Sequence, residues 1–246
     1  MSKTLILIPA RYGSSRFPGK PLAKINNKPM IQHVVENCQA SGFDYAVVTD
    51  NDEIEAALKD NYQVVRVDDD VTTGSERIAL ALSRHFSEKN YEYVINVQGD
   101  EPLLKAELLK ELNDFHTKNE FDICTAVKRR SSSDEEYSNP NVVKCLLSEK
   151  DGKCLYFSRA SIPFFRDGQV GDWHQHIGLY SYKTKALESF VSLEESRLEK
   201  AEKLEQLRAL ENGMSIGAIE TNAQLIGVDT PEDIHKIEGV LSGKKR

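Results

Sequence analysis

Arg11, Arg16 and Lys20 fall in one short segment, Thr4 to Pro21, that reads TLILIPARYGSSRFPGKP. Guanidinium and ammonium donors grouped in this way suit a polyphosphate. The segment opens as an apolar run, Leu5 to Pro9, of the kind that forms a buried strand. It then breaks at Gly13, Pro18, Gly19 and Pro21, which cannot continue a strand or a helix. The charge context sharpens the reading. Residues 1–35 hold six Lys or Arg and no Asp or Glu, whereas the chain as a whole stands at −7, so the remainder carries −13. An acidic chain has thus gathered positive charge on the loop leaving its first strand, which in an open α/β sheet lies at the carboxyl edge where ligands bind. The loop reads as a triphosphate site, against the plainer reading of a solvated basic turn. It is not a G-x-x-x-x-G-K-[ST] loop: five residues separate Gly13 from Gly19, and Pro21 follows Lys20 where a magnesium-binding hydroxyl is required. The G-x-G-x-x-G fingerprint is absent as well.

Other residues have chemistry of their own. Asp100 stands in Gln98-Gly99-Asp100-Glu101-Pro102, just past the apolar run Tyr93 to Val97, where a carboxylate would meet a metal bound to phosphates. Gly99 would let the backbone approach a ligand closely. The other reading of Asp100-Glu101 is an ordinary turn before the helix 105–118. Gly74-Ser75 opens a helix to about Phe86; the plainer reading of Ser75 is as its N-cap, with Glu76 favourable in the first turn. His174 and His176 straddle Gln175 on a strand continuing as Ile177 to Tyr182; H-x-H puts both rings on one face and could suit zinc, but no third ligand lies nearby in sequence. Gly227-Val228-Asp229-Thr230-Pro231-Glu232-Asp233 is fully explained as a helix start, with a cap, Pro at N1 and acids in the first turn.

These residues need elements to hold them. After the basic loop, Pro29 to Ala40 reads as a helix with Met30, Ile31, Val34, Val35 and Cys38 on one face. Tyr45 to Thr49 is a strand, Asp50-Asn51-Asp52 caps a helix through Leu58, and Gln63 to Val67 is a third strand. Alternation at this spacing means parallel strands with right-handed crossovers. Phe121 to Val127 is a further strand, followed by the charged run Lys128 to Glu136 as a solvated loop. Val142 to Leu147 and Lys153 to Phe157 form a hairpin turning at Asp151-Gly152. Ser196 to Asn212 reads as one helix with a Ser196/Glu199 capping box, Gly213 at C′ and a buried stripe of Leu198, Ala201, Leu204, Leu207 and Leu210. Glu205 and Gln206 lie off that stripe and on chemistry alone would be solvated. The expectation is α/β: a Rossmann-like, mostly parallel sheet with flanking helices, as one domain over 1–246 with a small antiparallel lobe at about 142–182.

Composition narrows the class. With 246 residues, 39% of them hydrophobic, the chain can bury a full core. Cysteines 38, 124, 145 and 154 show no C-x-x-C spacing, so neither a zinc site nor a disulfide framework is expected, and reduced thiols fit the cytoplasm. No run resembles a signal-peptide core or a membrane span, so no membrane insertion is expected. A pI near 5.5 argues against a nucleic-acid partner. The terminal Gly243-Lys244-Lys245-Arg246 reads as a frayed end.

Eight blocks together resemble a known family. They are Ile8-Pro9-Ala10-Arg11 with Ser15-Arg16-Phe17-Pro18-Gly19-Lys20-Pro21-Leu22, Gly74-Ser75-Glu76-Arg77, Asn96-Val97-Gln98-Gly99-Asp100-Glu101-Pro102, Asn139-Pro140-Asn141, Tyr156-Phe157-Ser158-Arg159, His176-Ile177-Gly178, Leu204-Glu205-Gln206-Leu207-Arg208 and Gly227 to Asp233. In this order, over nearly the full chain, they resemble the CMP-Kdo synthetases, or 3-deoxy-manno-octulosonate cytidylyltransferases. The resemblance implies a nucleotidyltransferase that joins CTP to an eight-carbon 3-deoxy sugar acid for lipopolysaccharide biosynthesis and releases pyrophosphate. It implies nucleotide contacts from Pro9, Ala10, Arg11, Arg16, Lys20, Ser75, Arg77, Gln98 and Asp100. Lys20, Arg11, Asp100 and Asp229 would be catalytic, with magnesium held by Asp100 and Asp229. Sugar contacts would come from Arg159, His176, Tyr180, Glu205 and Gln206. A cytoplasmic homodimer is implied as well, with the segment after Arg159 at the dimer contact. The chain departs from the pattern at Phe164-Phe165, where family members commonly carry Trp-Asp, so an 8-amino sugar or another acidic sugar stays open as substrate. A catalytically silent nucleotide-binding protein is the alternative of another class. Retention of Lys20 with two metal-type carboxylates argues against it. No residue stands out as a general base.

Overall fold

The first apolar run becomes β1 (Thr4–Ala10), with Leu5 to Ile8 fully buried. The computed structural model describes residues 3–13 and 17–242, so Ser15, Arg16 and the terminal Gly243 to Arg246 lie outside the described residues. The chain forms two compact units, Met1–Lys110 with Ala223–Arg246, and Glu111–Asn222.

In the first unit, β1 is followed by a short antiparallel ribbon, β2 (Lys24–Ile25) and β3 (Lys28–Pro29). Helix α1 (Met30–Ala40) buries Met30, Ile31, Val34, Val35 and Cys38, the face its spacing predicts. Next come β4 (Asp44–Thr49), α2 (Asp52–Leu58), β5 (Val64–Arg66), α3 (Gly74–His85) and β6 (Tyr93–Asn96). Asn51 caps α2 by accepting the Glu53 and Ile54 amides, as its position before the helix predicts. β1 pairs in parallel with β4 and β6, and β4 with β5, giving the order β6-β1-β4-β5. Parallel pairing brings the carboxyl ends of these strands to one edge, so the loops after Ala10, Thr49 and Asn96 open on the same side.

The start of α3 differs from expectation. Thr73, not Ser75, is the N-cap: its hydroxyl accepts the Glu76 amide at 3.2 Å, and the Glu76 carboxylate returns to the Thr73 amide at 3.1 Å. Completing this reciprocal pair starts the helix earlier and leaves Ser75 inside it, buried.

Helix α4 (Ala106–Lys118) leads to the second unit: β7 (Ile123–Ser131), β8 (Lys144–Leu147), β9 (Cys154–Ser158) and β10 (Asp172–Lys183). These are followed by α5 (Thr184–Ser192), α6 (Arg197–Glu202), α7 (Gln206–Glu211) and β11 (Ile216–Glu220). β7 pairs in parallel with β11 and antiparallel with β10, while β8 joins β10 to β9 antiparallel. The hairpin is as expected, with Gly152 at φ 72° in its turn.

Two expectations fail here. The run Lys128 to Ser131 is strand rather than solvated loop, pairing with Gln175 to Asp172. Its charges are met beside the sheet: Arg129 reaches Glu220 at 2.9 Å and Asp172 at 3.4 Å, and Arg130 reaches Glu136 at 2.6 Å. The single helix expected over Ser196 to Asn212 is two. The Ser196/Glu199 capping box is present, but Lys203 takes φ 53° and ends α6. The break reorients the next turn, so Gln206 and Arg208 are buried and Ala201 is exposed.

The chain returns to the first unit and closes with α8 (Pro231–Leu241), capped by Thr230 and Asp233. Val228 and Ile237 pack there with Ile25, Met30 and Leu103, against Phe17, Ile226 and Ile234. That small core fixes the segment carrying Asp229 beside the loop carrying Lys20. All four cysteines are buried free thiols.

Candidate active site

The basic loop turns back on itself under Tyr12. The Gly19 amide donates to the Tyr12 carbonyl at 3.0 Å, and Gly19 takes φ 71° with the Tyr12 ring 3.3 Å from where a Cβ would stand. Glycine is required for that conformation and that approach. A 3-10 turn, Lys20 to Leu22, follows, with Pro21 in its first positions. It delivers the Lys20 ammonium to three oxygens: Asp100 Oδ2 at 2.5 Å, the Val228 carbonyl at 2.7 Å and Asp229 Oδ1 at 3.9 Å. Lys20 is only 14% exposed. One cation therefore gathers carboxylates that lie far apart in sequence. The backbone joins the same two segments, since the Val228 amide donates to the Asp100 carbonyl at 3.0 Å.

Gly99 also meets a close neighbour within the protein. A Cβ there would lie 3.0 Å from the Pro9 carbonyl and 3.2 Å from Ile31, so glycine lets this loop close on the end of β1. Pro9 and Ala10 end that strand, and Gln98 opens the loop after β6. Arg11 donates through Nη2 to the carbonyls of Val71 and of Thr73, the latter at 3.4 Å. Arg77 is buried: Nη1 donates to the Val67 carbonyl at 2.5 Å, Nη2 meets Asp50 Oδ2 at 2.8 Å, and Nε has no hydrogen-bond partner. Burial pushes its guanidinium below the ordinary value. Arg11 and Arg77 thus hold the loop 67–73 through its backbone, with Ser75 buried just beyond.

Glu101 escaped the sequence reading, where it passed as part of a turn. Its Oε2 is buried with no hydrogen-bond partner, and its Oε1 lies 3.3 Å from the place of a Cβ on Gly227. Burial, together with Asp100 and Asp229, pushes its carboxyl up to about 7 against the pull of Lys20. The donor set fits magnesium, which takes one or two carboxylates and completes its shell with phosphate oxygens and water. Asp100 and Asp229, both drawn to the Lys20 ammonium, are the two carboxylates that would serve it. Among the described residues no group of three or more His, Cys, Asp or Glu is placed to hold a metal ion.

Glu101 also sets a pH dependence. Because its folded-state value of about 7 exceeds the ordinary 4.5, the native state keeps a proton that the unfolded chain has lost between those values. The associated stability is present at low pH and is lost as pH rises through 7. In chelator, wild type is expected to lose on the order of 2–3 kcal/mol relative to Glu101→Gln between about pH 5 and pH 8. Urea midpoints at each pH give the test, and parallel profiles for the two proteins would refute it.

In the second unit, His176 and Tyr180 flank a bulge in β10, where the register against β7 shifts between Ile177 and Tyr180. Their ring centroids lie 5.4 Å apart. His176 Nε2 lies 3.1 Å from Thr125 Oγ1, whose own hydrogen serves the carbonyl of Ile177 or Leu179 at 3.0 and 2.8 Å. The hydroxyl therefore accepts from Nε2–H, leaving Nδ1 as an acceptor. Burial pushes His176 down to about 3, so the ring is neutral near pH 7. Burial, then Tyr182 and Glu205, push the Tyr180 hydroxyl far up. Gln206 is buried and its Nε2 has no hydrogen-bond partner. An amide donor left so costs free energy unless something accepts from it. Arg159 is committed to backbone: Nε donates to the Glu202 carbonyl at 2.7 Å, Nη1 to Pro140 at 3.0 Å and Nη2 to Lys203 at 3.3 Å. His174 faces Glu220 at 3.2 Å. Lys144, Glu202 and Thr125 were not singled out by sequence; Lys144 alone left a signal, a cation inside the apolar run Val142 to Leu147.

A parallel α/β sheet with lysine and carboxylates joined at its carboxyl edge fits a nucleotidyltransferase, the class that the relatives share. The chain belongs to the cytidylyltransferase family, whose model matches residues 5–216. It is 41% identical over 97% of its length to the 3-deoxy-manno-octulosonate cytidylyltransferase of Thermodesulfovibrio yellowstonii, covering 98% of that protein. It is 43% identical over 96% of its length to the 8-amino-3,8-dideoxy-manno-octulosonate cytidylyltransferase of Shewanella baltica, covering 98% of that protein. A solved structure of CMP:2-keto-3-deoxy-manno-octonic acid synthetase complexed with CTP superposes with a TM-score of 0.91 at 33% identity, over 99% of this chain and all of that one. The resemblance read from the eight sequence blocks and the mostly parallel α/β class are both borne out. No helix among the described residues is long and apolar enough to cross a membrane.

Proposed function

We propose that this enzyme transfers the cytidylyl group of CTP to 3-deoxy-manno-octulosonate (Kdo), giving CMP-Kdo and pyrophosphate. The observation that carries the reading is the convergence of Lys20, Asp100 and Asp229 at the carboxyl edge of the first unit's sheet. The anomeric hydroxyl oxygen of the sugar attacks the α-phosphorus and passes its proton to solvent water. The bond from the α-phosphorus to the bridging oxygen breaks, and pyrophosphate leaves with the electron pair. Such a reaction asks the protein mainly for positioning and charge neutralisation. Arg11, Arg16 and Lys20 bind the β- and γ-phosphates, with Lys20 nearest the carboxylates. Asp100 and Asp229 hold magnesium, which supplies charge neutralisation on the phosphates. Pro9, Ala10, Gln98, Ser75 and Arg77 frame the nucleotide, the last through the loop 67–73 that it anchors.

The second unit supplies the sugar contacts: His176 as a neutral ring, Tyr180, Glu205 and Gln206, with Arg159 at their border. The unpartnered Gln206 amide supports this part of the reading, because a polyhydroxylated acid offers the acceptor it lacks. Phe164, 84% exposed, and Val170 present apolar surface after Arg159 that supports a homodimer, testable by sedimentation. Buried free thiols and a CTP substrate fit the cytoplasm. The same chemistry on 8-amino-Kdo is the second reading, favoured by relatives of equal similarity bearing that name.

The deciding assay is pyrophosphate release with magnesium, each nucleoside triphosphate being offered with Kdo, 8-amino-Kdo or sialic acid. Release with CTP and Kdo alone is expected. Release with CTP and 8-amino-Kdo instead moves the sugar and leaves the nucleotide site, and no release with any pair refutes the catalytic reading.

A further inference from the structure

Helix α6 ends where Lys203 adopts φ 53°, a conformation in which a side chain is strained by about 1 kcal/mol relative to glycine. Something must hold the chain there, and the contacts on Glu202 identify it. Glu202 Oε1 accepts from the Ser158 hydroxyl at 2.6 Å, and Oε2 accepts from the Arg159 amide at 2.9 Å. Arg159 reciprocates by donating to the carbonyls of Glu202 and Lys203, the groups a terminating helix leaves without partners. Behind them, the buried Lys144 ammonium donates to the carbonyls of Asn139 at 2.7 Å and Arg159 at 2.9 Å. Each Glu202 oxygen thus faces a donor from the protein itself. The outcome is local: past the break, Gln206 is buried with its Nε2 unpartnered, and the Glu205 charge is near enough to push the Tyr180 hydroxyl up.

We propose that Glu202 is a positioning residue for the acidic-sugar substrate: it fastens the break between α6 and α7 to the Ser158-Arg159 corner and so sets Glu205 and Gln206 in their binding orientation. The inference rests on the reading of Glu205 and Gln206 as sugar contacts. It goes beyond that reading in assigning a role to a residue that touches neither substrate. Replacing Glu202 by Gln keeps an oxygen for the Arg159 amide but turns an amide N–H toward the Ser158 hydroxyl, whose oxygen already accepts from the Ala160 amide at 3.0 Å; the corner loses its charge-assisted bonds, and its hold on the break loosens. The kinetic consequence is confined to the sugar, because the nucleotide residues belong to the other unit.

Steady-state kinetics on the full-length enzyme test this, varying CTP and whichever octulosonate the pyrophosphate assay accepts. Glu202→Gln is expected to raise the sugar KM by about tenfold while the CTP KM stays within about twofold. Adding Lys203→Gly, which adopts φ 53° without side-chain strain, is expected to restore most of the sugar KM. Gln206→Ala serves as the reference. If it leaves the sugar KM unchanged, the sugar-site reading fails and takes the proposal with it. If Gln206→Ala raises the sugar KM and Glu202→Gln does not, the positioning role alone is overturned. Equal rises in both KM values without rescue by Lys203→Gly would reduce Glu202 to a general structural part and overturn it too. Should Glu202→Gln fail to fold, Ser158→Ala removes one of the two donors, and a rise of about threefold in the sugar KM alone is required.

Discussion

Asparagine in place of Asp100 is expected to lower kcat by about 100-fold or more at saturating CTP, sugar and magnesium, with the fold intact. The substitution preserves shape and keeps an oxygen for the Lys20 ammonium, now 2.5 Å from Oδ2. It removes one of the two carboxylates that, among the described residues, converge on that cation, and with it a full charge where the metal would bind. The cost to folding is small because the pair is partly exposed, at 14% and 31%, and such ion pairs contribute about 1 kcal/mol or less. The backbone contact from Val228 to Asp100 is untouched and keeps the Asp229 segment in place. A loss in kcat with the CTP KM little changed would place the interaction in the transition state rather than in nucleotide binding. Normal turnover in magnesium would remove Asp100 from the metal and return it to the role of an ordinary turn residue.

How much of this was legible depended on whether a residue's partner was near in sequence. The face of α1, the cap at Asn51 and the hairpin at Asp151-Gly152 are local decisions, set by spacing and by the conformations that Asn and Gly allow. The capping box at Ser196 and Glu199 was legible for the same reason. The end of α6 was not, because Lys203 is a poor candidate for φ 53° and is held there by Arg159 and Glu202, contacts more than forty residues apart for the former. The strand character of Lys128 to Ser131 was hidden in the same way, since its charges are answered by Glu220, Asp172 and Glu136. At the site, carboxylates after a strand and basic residues after another marked the carboxyl edge, and resemblance added Asp229 and the sugar residues. Glu101 and Glu202 left no signal of their own: what distinguishes each is the company it keeps after folding, a buried unpaired oxygen in one case and two converging donors in the other.

Glu199→Ala is expected to destabilise the protein by about 3–5 kcal/mol. Glu199 and Arg208 form a two-bonded pair, Nε to Oε2 at 2.8 Å and Nη2 to Oε1 at 2.7 Å, with side chains only 7% and 8% exposed. The same carboxylate completes the capping box by accepting the Ser196 amide at 3.1 Å. Removing it leaves a guanidinium buried over the Phe190 ring, 5.5 Å from its centroid, with the Leu193 carbonyl at 3.1 Å as an acceptor but no counter-charge in the pair's place. Desolvating a cation without its partner is the costly event, not the loss of attraction itself. Glu199→Leu with Arg208→Met is therefore expected to recover much of the loss, since no charge remains to be desolvated. Trp173 is the only tryptophan and is buried in β10 of the same unit, so urea unfolding followed by its fluorescence reads the relevant part of the molecule. A midpoint shift equivalent to less than about 1 kcal/mol for Glu199→Ala would mean that Arg208 finds water once its partner is gone. Recovery in the double variant would show instead that the pair holds α6 against α7 by orientation, which an apolar contact can replace for stability without reproducing the geometry that Gln206 needs for the sugar.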